Sequence, residues 1–309
     1  MKSASQQQGI ALLTAILVMA LAVIAATSIS ANHQLSIRRT ENVVFGSQVW
    51  SYLHGGETWA KVVLARDLDD NNNYDHISEA WATELPALPL PGGYISGKIE
   101  DEQGKINVNN LMAGSEPDPL TRIRLEALFA LLDLDSELIQ AVIDWIDPDV
   151  NAIPPNGAED DYYTGLEYPY LTANQAMQHI SELRLIKGFT QEVYEKVAPF
   201  LTALPSNTAV NINTAKAEVL ASIIPNIGID IAYNIVDERN EEAYESIQEF
   251  VSNPLLQGAS VNLQALSVNS SFFSLTSQIK VGNSFIKNES ILNRSNNKTI
   301  TVVNRVPGQ

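Results

Sequence analysis

Cysteine is absent from this chain of 309 residues, which excludes disulfides, thiolate metal sites and cysteine nucleophiles. Histidine is scarce, and the four present (His33, His54, His76 and His179) are dispersed. No HExxH, P-loop or GxSxG pattern occurs, so no enzyme signature stands out. Basic residues are few: 19 Lys and Arg face 36 Asp and Glu, a net charge of −17. That balance repels nucleic acid and anionic lipid surfaces, and it suits a cation-rich secretory compartment as well as an ordinary acidic surface. Two further absences are local. Residues 10–37 contain no Asp, Glu, Lys or Arg, and no proline precedes Pro86.

The charge-free stretch organises the rest of the chain. It begins IALLTAILVMALAVIAA, directly after the polar leader MKSASQQQG. About 20 apolar residues in a helix span the hydrocarbon of a bilayer, so its length fits a membrane span. Three readings are open: a signal peptide cut near Ser28–Ala31, an uncut anchor, or a prepilin-type leader cut between Gly9 and Ile10 with the helix retained. The third is favoured because the helical pattern runs on. Val49, Leu53, Ala60, Val63 and Leu64 recur at helical spacing, so Ile10 to Arg66 forms a rod of about 85 Å. Gly46, Gly55 and Gly56 mark expected bends. Lys2 before the span and Arg38 and Arg39 after it leave orientation unsettled by charge.

Beyond the rod, RDLDDNNNYD (66–75) is a polar break in which Asp67, Asp69 and Asn71 imitate the start of a calcium loop without its later ligands. Alternation around a glycine-containing turn predicts a hairpin with strands near 94–100 and 105–108. Short helices are predicted at 120–134, 136–146, 174–185, 191–204, 214–224, 229–239 and 247–251. Strand-like segments return after 259 in VNLQALSV, FFSLTSQIKVG and TITVVNRV, the last two separated by an Asn- and Ser-rich stretch. Strands on both sides of a helical block point to an insertion into one α+β domain.

The densest chemistry lies at DWIDPDVN (144–151) and GAEDDYY (157–163), where seven oxygen-donor side chains fall within 18 residues. Calcium takes six to eight oxygens and would neutralise such a loop. Asp147, Asp149 and Asn151 match the first EF-hand spacings, but Ala152 replaces the required glycine and Glu159 comes one residue late. The site would therefore be of another kind, and a solvated loop capping the preceding helix is the alternative. The run from Val210-Asn-Ile-Asn-Thr-Ala to Ile224-Pro-Asn-Ile-Gly228 has the form of a helix-hairpin-helix. Lys216 is its single base among Glu218, Asp230, Asp237 and Glu238, so it reads as a packing motif without nucleic acid.

Taken together, the Gly9-Ile10 junction, GKINVNNL, DWIDPD…GAEDDYY, SELRLIKGF and VNINTA resemble the minor pseudopilin K family of type II secretion systems (general secretion pathway protein K). The resemblance covers essentially the whole chain. It implies an α+β, pilin-like fold: a long N-terminal transmembrane helix packed on a small antiparallel β-sheet, with a large inserted α-helical domain. Residues 1–9 would be the leader removed by prepilin peptidase, with N-methylation of Ile10. Residues 10–31 would lie in the inner membrane, 32–66 would continue the helix into the periplasm, 67–108 and 259–309 would form the sheet domain, and 109–258 the insertion. The family further implies a non-enzymatic tip complex with minor pseudopilins I and J, with H and the major pseudopilin G as further partners, and calcium in the insertion. Asp147, Asp149, Asn151, Glu159, Asp160 and Asp161 are the candidate donors. Most pilins carry Glu at the fifth mature position, where this chain has Thr14. A carboxylate in a bilayer needs a partner; a subunit without one fits the very tip. The remaining alternatives are a minor pilin of a type IV pilus and an exported soluble enzyme or binding protein.

Overall fold

The computed structural model describes residues 4–68, 73–282, 284–295 and 297–308. With no proline to break its hydrogen bonds, the N-terminal stretch forms one helix, α1 (Ala4–Asp67). The helix runs through Gly46, Gly55 and Gly56 without a break. Gly56 faces the Ser277 hydroxyl and the Ile95 side chain, where helix and sheet meet. From Ile10 onward α1 is long and apolar enough to cross a membrane, and its most apolar window is wholly unburied.

The sheet is a five-stranded meander: β1 (Leu85–Leu90), β2 (Gly93–Asp101), β3 (Phe272–Val281), β4 (Ser284–Arg294) and β5 (Ile300–Pro307). Neighbours pair antiparallel in that order, and residues 102–271 are inserted between β2 and β3. One sheet face packs on α1 in two clusters. Val49 and Leu53 meet Ile279 and Val281 lower on the rod, while Ala60 and Leu64 meet Trp81, Ile99, Phe273 and Leu275 higher up. At the end of α1, buried Arg294 bonds Asp67 at 2.5 Å, pairs with Asp75 and lies 4.6 Å over the Phe273 ring.

Three local expectations are corrected. The segment 105–108 does not pair with β2: Ile106–Asn107 runs parallel to Leu201–Thr202. The chain leaves the sheet because buried Asp101 accepts hydrogen bonds from Asn211, Thr214 and Ser270, which draw it into the insertion. VNLQALSV yields only a two-residue strand, Leu266–Ser267, parallel to Val210–Asn211. The expected helix at 174–185 is reduced to a 3-10 helix, Ile180–Leu185, because His179 is extended (φ −156°, ψ 147°) and caps that helix in a box with Glu182. Most of the Asn- and Ser-rich stretch is β4, a central strand. Its inward Ser290 donates to buried Glu57 at 2.9 Å, and Glu57 is closed by Arg305 at 2.6 Å, so polar residues sit inside without loss.

The insertion is built from two similar halves. The first opens with Ile106-Asn107-Val108-Asn109 and the second with Val210-Asn211-Ile212-Asn213. In each, the first Asn caps its own turn, with Asn107 Oδ1 accepting from Asn109 N and Asn211 Oδ1 from Asn213 N. The second Asn makes a two-way bond to a distant backbone: Asn109 with Met177, Asn213 with Tyr244. Helices α2 (Pro119–Leu131) and α3 (Leu138–Ile146) follow in the first half. Helices α4 (Asp160–Tyr163) and α5 (Gln191–Val197) complete it, and α6 (Ala217–Ile223), α7 (Gly228–Glu241) and α8 (Ile247–Val251) form the second. Each half closes with a short strand parallel to its opening one.

Candidate functional site

The acidic loop leaves α3, a helix buried along nearly its whole length, and returns through α4. An aromatic floor holds it. Trp145 packs edge-on against Tyr163 at 5.5 Å, and Tyr170 lies 5.3 Å from Tyr163. Asp144, fully buried, accepts from Ile153 N at 3.1 Å. Gly157 is required because a Cβ there would collide with the Asp144 carboxylate and the Ile153 backbone. The loop mouth is closed where Thr172 donates to Asp160 from its backbone N at 2.9 Å and its hydroxyl at 2.7 Å.

Of the six expected donors, the fold brings three together. Asp147, Asp149 and Glu159 each offer a carboxylate oxygen within 4.8 Å of the others. Asn151 instead donates its side-chain amide to Asp149 Oδ1 at 3.0 Å, Asp160 is engaged with Thr172, and Asp161 is exposed outside the group. Asp147 Oδ1 and Glu159 Oε1 are buried without a hydrogen-bond partner, and so is Asn174 Oδ1. All three atoms are acceptors, and burying them unpaired is costly. A cation is the natural complement. Asn174, beyond the acidic loop in sequence, is brought beside the end of α3, where its N–H donates to Trp145 O at 3.1 Å, two residues before Asp147. No sequence signal pointed to it, since Asn174 opens a segment whose spacing reads as helix; only the structure shows its positive φ of 45°.

The electrostatics agree. Burial, followed by the Asp149 and Asp144 charges, pushes the Asp147 carboxyl up to about 6. Burial, with Asp144 and Asp147, pushes Glu159 up to about 7. Both are carboxyls held short of a compensating positive charge. A base at the loop, Lys187, donates to Gly157 O at 3.2 Å and lies 5.1 Å over the Tyr162 ring. A second acidic group, Asp67, Asp75 and Glu79, differs in that Arg294 already reaches into it. Asp69 and Asn71 of that polar break lie outside the described residues.

At the other end of the chain, Gly9 lies within the backbone of α1, and Ile10 is exposed on it. The Thr14 hydroxyl donates to Ala11 O at 3.0 Å, so this polar group is satisfied by its own helix in an apolar setting.

Comparison with known proteins agrees with this architecture. Residues 104–206 and 210–269 match two models, each described as type II secretion system protein K, and the boundary between them falls between the two halves of the insertion. Type II secretion system protein K of Pseudomonas aeruginosa is 34% identical, covering 98% of this chain and 93% of that protein. The Aeromonas hydrophila protein of the same name is 32% identical over 100% of this chain and 99% of its own. Among solved structures, one from the GspK-GspI-GspJ complex of the enterotoxigenic Escherichia coli type 2 secretion system superposes with a TM-score of 0.76 at 26% identity. It covers 88% of this chain and 99% of the other. With its long apolar helix, its antiparallel sheet and its inserted helical halves, the chain belongs to the type II secretion system protein K family, the minor pseudopilins of that machinery.

Proposed function

We propose that this chain is the tip subunit of a type II secretion pseudopilus, a non-enzymatic assembly protein that joins minor pseudopilins I and J to initiate and cap the filament. The related structure, solved as a complex of the three, supports the choice of partners. Thr14 supports the position, because a helix that satisfies its own hydroxyl needs no neighbour's N-terminal amine below it. In this reading prepilin peptidase cuts between Gly9 and Ile10, Ile10 is methylated, α1 stays in the inner membrane and the sheet and insertion face the periplasm. Mass spectrometry of the mature N-terminal peptide tests it. A peptide starting at Ile10 is expected; one starting near Asn32 would mean that the helix is removed.

The acidic loop is a calcium site in this reading. The observation that carries it is the pair of buried, unpaired oxygens on Asp147 and Glu159 within three converging carboxylates. Asp147, Asp149, Glu159 and Asn174 would hold the ion, which would supply the missing positive charge and tie α3, α4 and the 172–174 segment together. Binding only the folded state at 100 times Kd stabilises by about 2.7 kcal/mol. Saturating calcium is therefore expected to raise Tm by roughly 5–10 °C. A melting curve unmoved by calcium or EGTA would remove the claim.

A further inference from the structure

The charge of the molecule is divided between its two ends. Residues 109–258 hold 24 acidic and 7 basic residues, so the whole net charge of −17 resides in the insertion, and the remainder balances 12 against 12. Within that remainder the strands after the insertion are basic. Residues 259–309 carry Lys280, Lys287, Arg294, Lys298 and Arg305 against Glu289 alone. Arg294 and Arg305 are used internally, on Asp67 and Asp75 and on Glu57. Lys280 and Lys287 are exposed and make no ion pair among the described residues.

Strand register places these lysines together with aromatic residues. Tyr94 of β2 is opposite Lys280 of β3, and Lys280 is opposite Phe285 of β4, so tyrosine, lysine and phenylalanine lie side by side across three strands. Lys287 follows Phe285 by two positions and shares its face. The opposite face, with Ile95, Ile279, Val281 and Ile286, is the one packed on α1. Phe285 is nonetheless 57% exposed.

The row also has a defined height on the rod. It adjoins the turn at Gly282, which sits against Phe45 of α1. Phe45 is eight residues beyond Ile37, where the charge-free run ends, or about 12 Å along the helix. Arg38 and Arg39 lie between them, with Glu41 as the one acid of that stretch. The insertion departs from the far end of the sheet, after Asp101 and before Phe272, level with Ala60 and Leu64.

We propose that this lower pole, formed by Tyr94, Lys280, Phe285 and Lys287 with Arg38 and Arg39 beneath it, is a docking surface for anionic phospholipid headgroups of the bilayer that holds α1. Lysine ammonium groups pair with headgroup phosphates, and aromatic rings favour the interface where one edge is apolar and the other wet. The same anionic surface repels the insertion. The two effects hold the domain upright, with its acidic half directed away from the membrane, until the subunit joins a filament. The inference rests on the reading of α1 as a membrane span.

The absence of cysteine makes the test clean, since each single substitution can be labelled alone. A fluorophore is placed on Ser284→Cys at the pole, Asn234→Cys on α7 or Ala22→Cys in the apolar run. The full chain is reconstituted in nanodiscs of phosphatidylcholine with or without phosphatidylglycerol, each containing a headgroup-quencher lipid. Quenching at 284 is expected to rise with phosphatidylglycerol, and to fall with added salt. It is also expected to fall in K280E/K287E, whose docked population should drop on the order of tenfold or more. The label at 234 should stay unquenched throughout. Equal quenching at 284 in neutral and anionic discs, or quenching indifferent to K280E/K287E, would overturn the headgroup assignment. A water-exposed label at Ala22→Cys would instead remove the spanning reading and this inference with it.

Discussion

At the scale of single residues, the acidic loop is a set of carboxyls waiting for a cation. Glu159 titrates near 7 in the fold against an ordinary 4.5, and Asp147 near 6 against 3.8. Raised values mean that the metal-free fold binds more protons than the unfolded chain, so its stability is greatest with these groups protonated. It should fall as pH rises from about 4 to about 7. Saturating calcium should reverse that slope, because ligation requires the ionised forms. Melting temperatures across this pH range, with calcium and with EGTA, measure both slopes. Glu159→Gln should flatten the metal-free slope and lower calcium affinity together. Asn174→Ala should weaken calcium binding while leaving the metal-free slope in place, since it removes a neutral oxygen; calorimetry of calcium binding would read this directly.

At the scale of elements, the insertion depends on a few buried amides more than on long helices. Asn213 accepts from Tyr244 N at 3.0 Å and donates to Tyr244 O at 2.9 Å, binding the start of its half to the segment before α8. Asn213→Ala would leave both backbone groups buried and unpaired, a loss of about 2–4 kcal/mol from the usual cost of such groups. Denaturant unfolding of the solubilised chain measures it, and a loss below about 1 kcal/mol would show that water replaces the amide. Asn109 should behave alike, because it holds Met177 in the same two-way manner. The likeness of the INVN and VNIN openings was present in the sequence. Only the matching bonds gave it meaning, because two short Asn-containing segments so far apart carry little weight alone.

At the scale of the whole molecule, Thr14 and the insertion address the same question of position. Thr14→Glu introduces a carboxylate whose burial in lipid demands a partner. The variant is expected to lose its place at the tip or to be poorly incorporated, with secretion reduced. Crosslinking to minor pseudopilins I and J, together with a secretion assay, reads both effects. Normal crosslinking with normal secretion would count against the tip position. The segregated charge of the insertion bears on the same scale: a net charge of −17 confined to one pole gives the subunit a direction that its average composition hides.

The sequence alone determined the rod, because a charge-free run followed by helical spacing and no proline leaves the backbone no other economical way to satisfy its hydrogen bonds in lipid. It also determined the order of sheet, helical block and sheet, and the neighbourhood of the acidic loop. Tertiary structure decided which carboxylates converge. Asp147, Asp149 and Glu159 meet because the aromatic floor of Trp145, Tyr163 and Tyr170 folds the loop back, while Asn151, Asp160 and Asp161 are turned to other partners or to solvent. It also brought Asn174, which lies outside the acidic loop in sequence, beside the end of α3, and made a central strand, β4, of polar residues that Glu57 and Arg305 meet. Local pattern records what each segment can do alone, whereas the pairing of buried polar groups depends on partners far away in the chain.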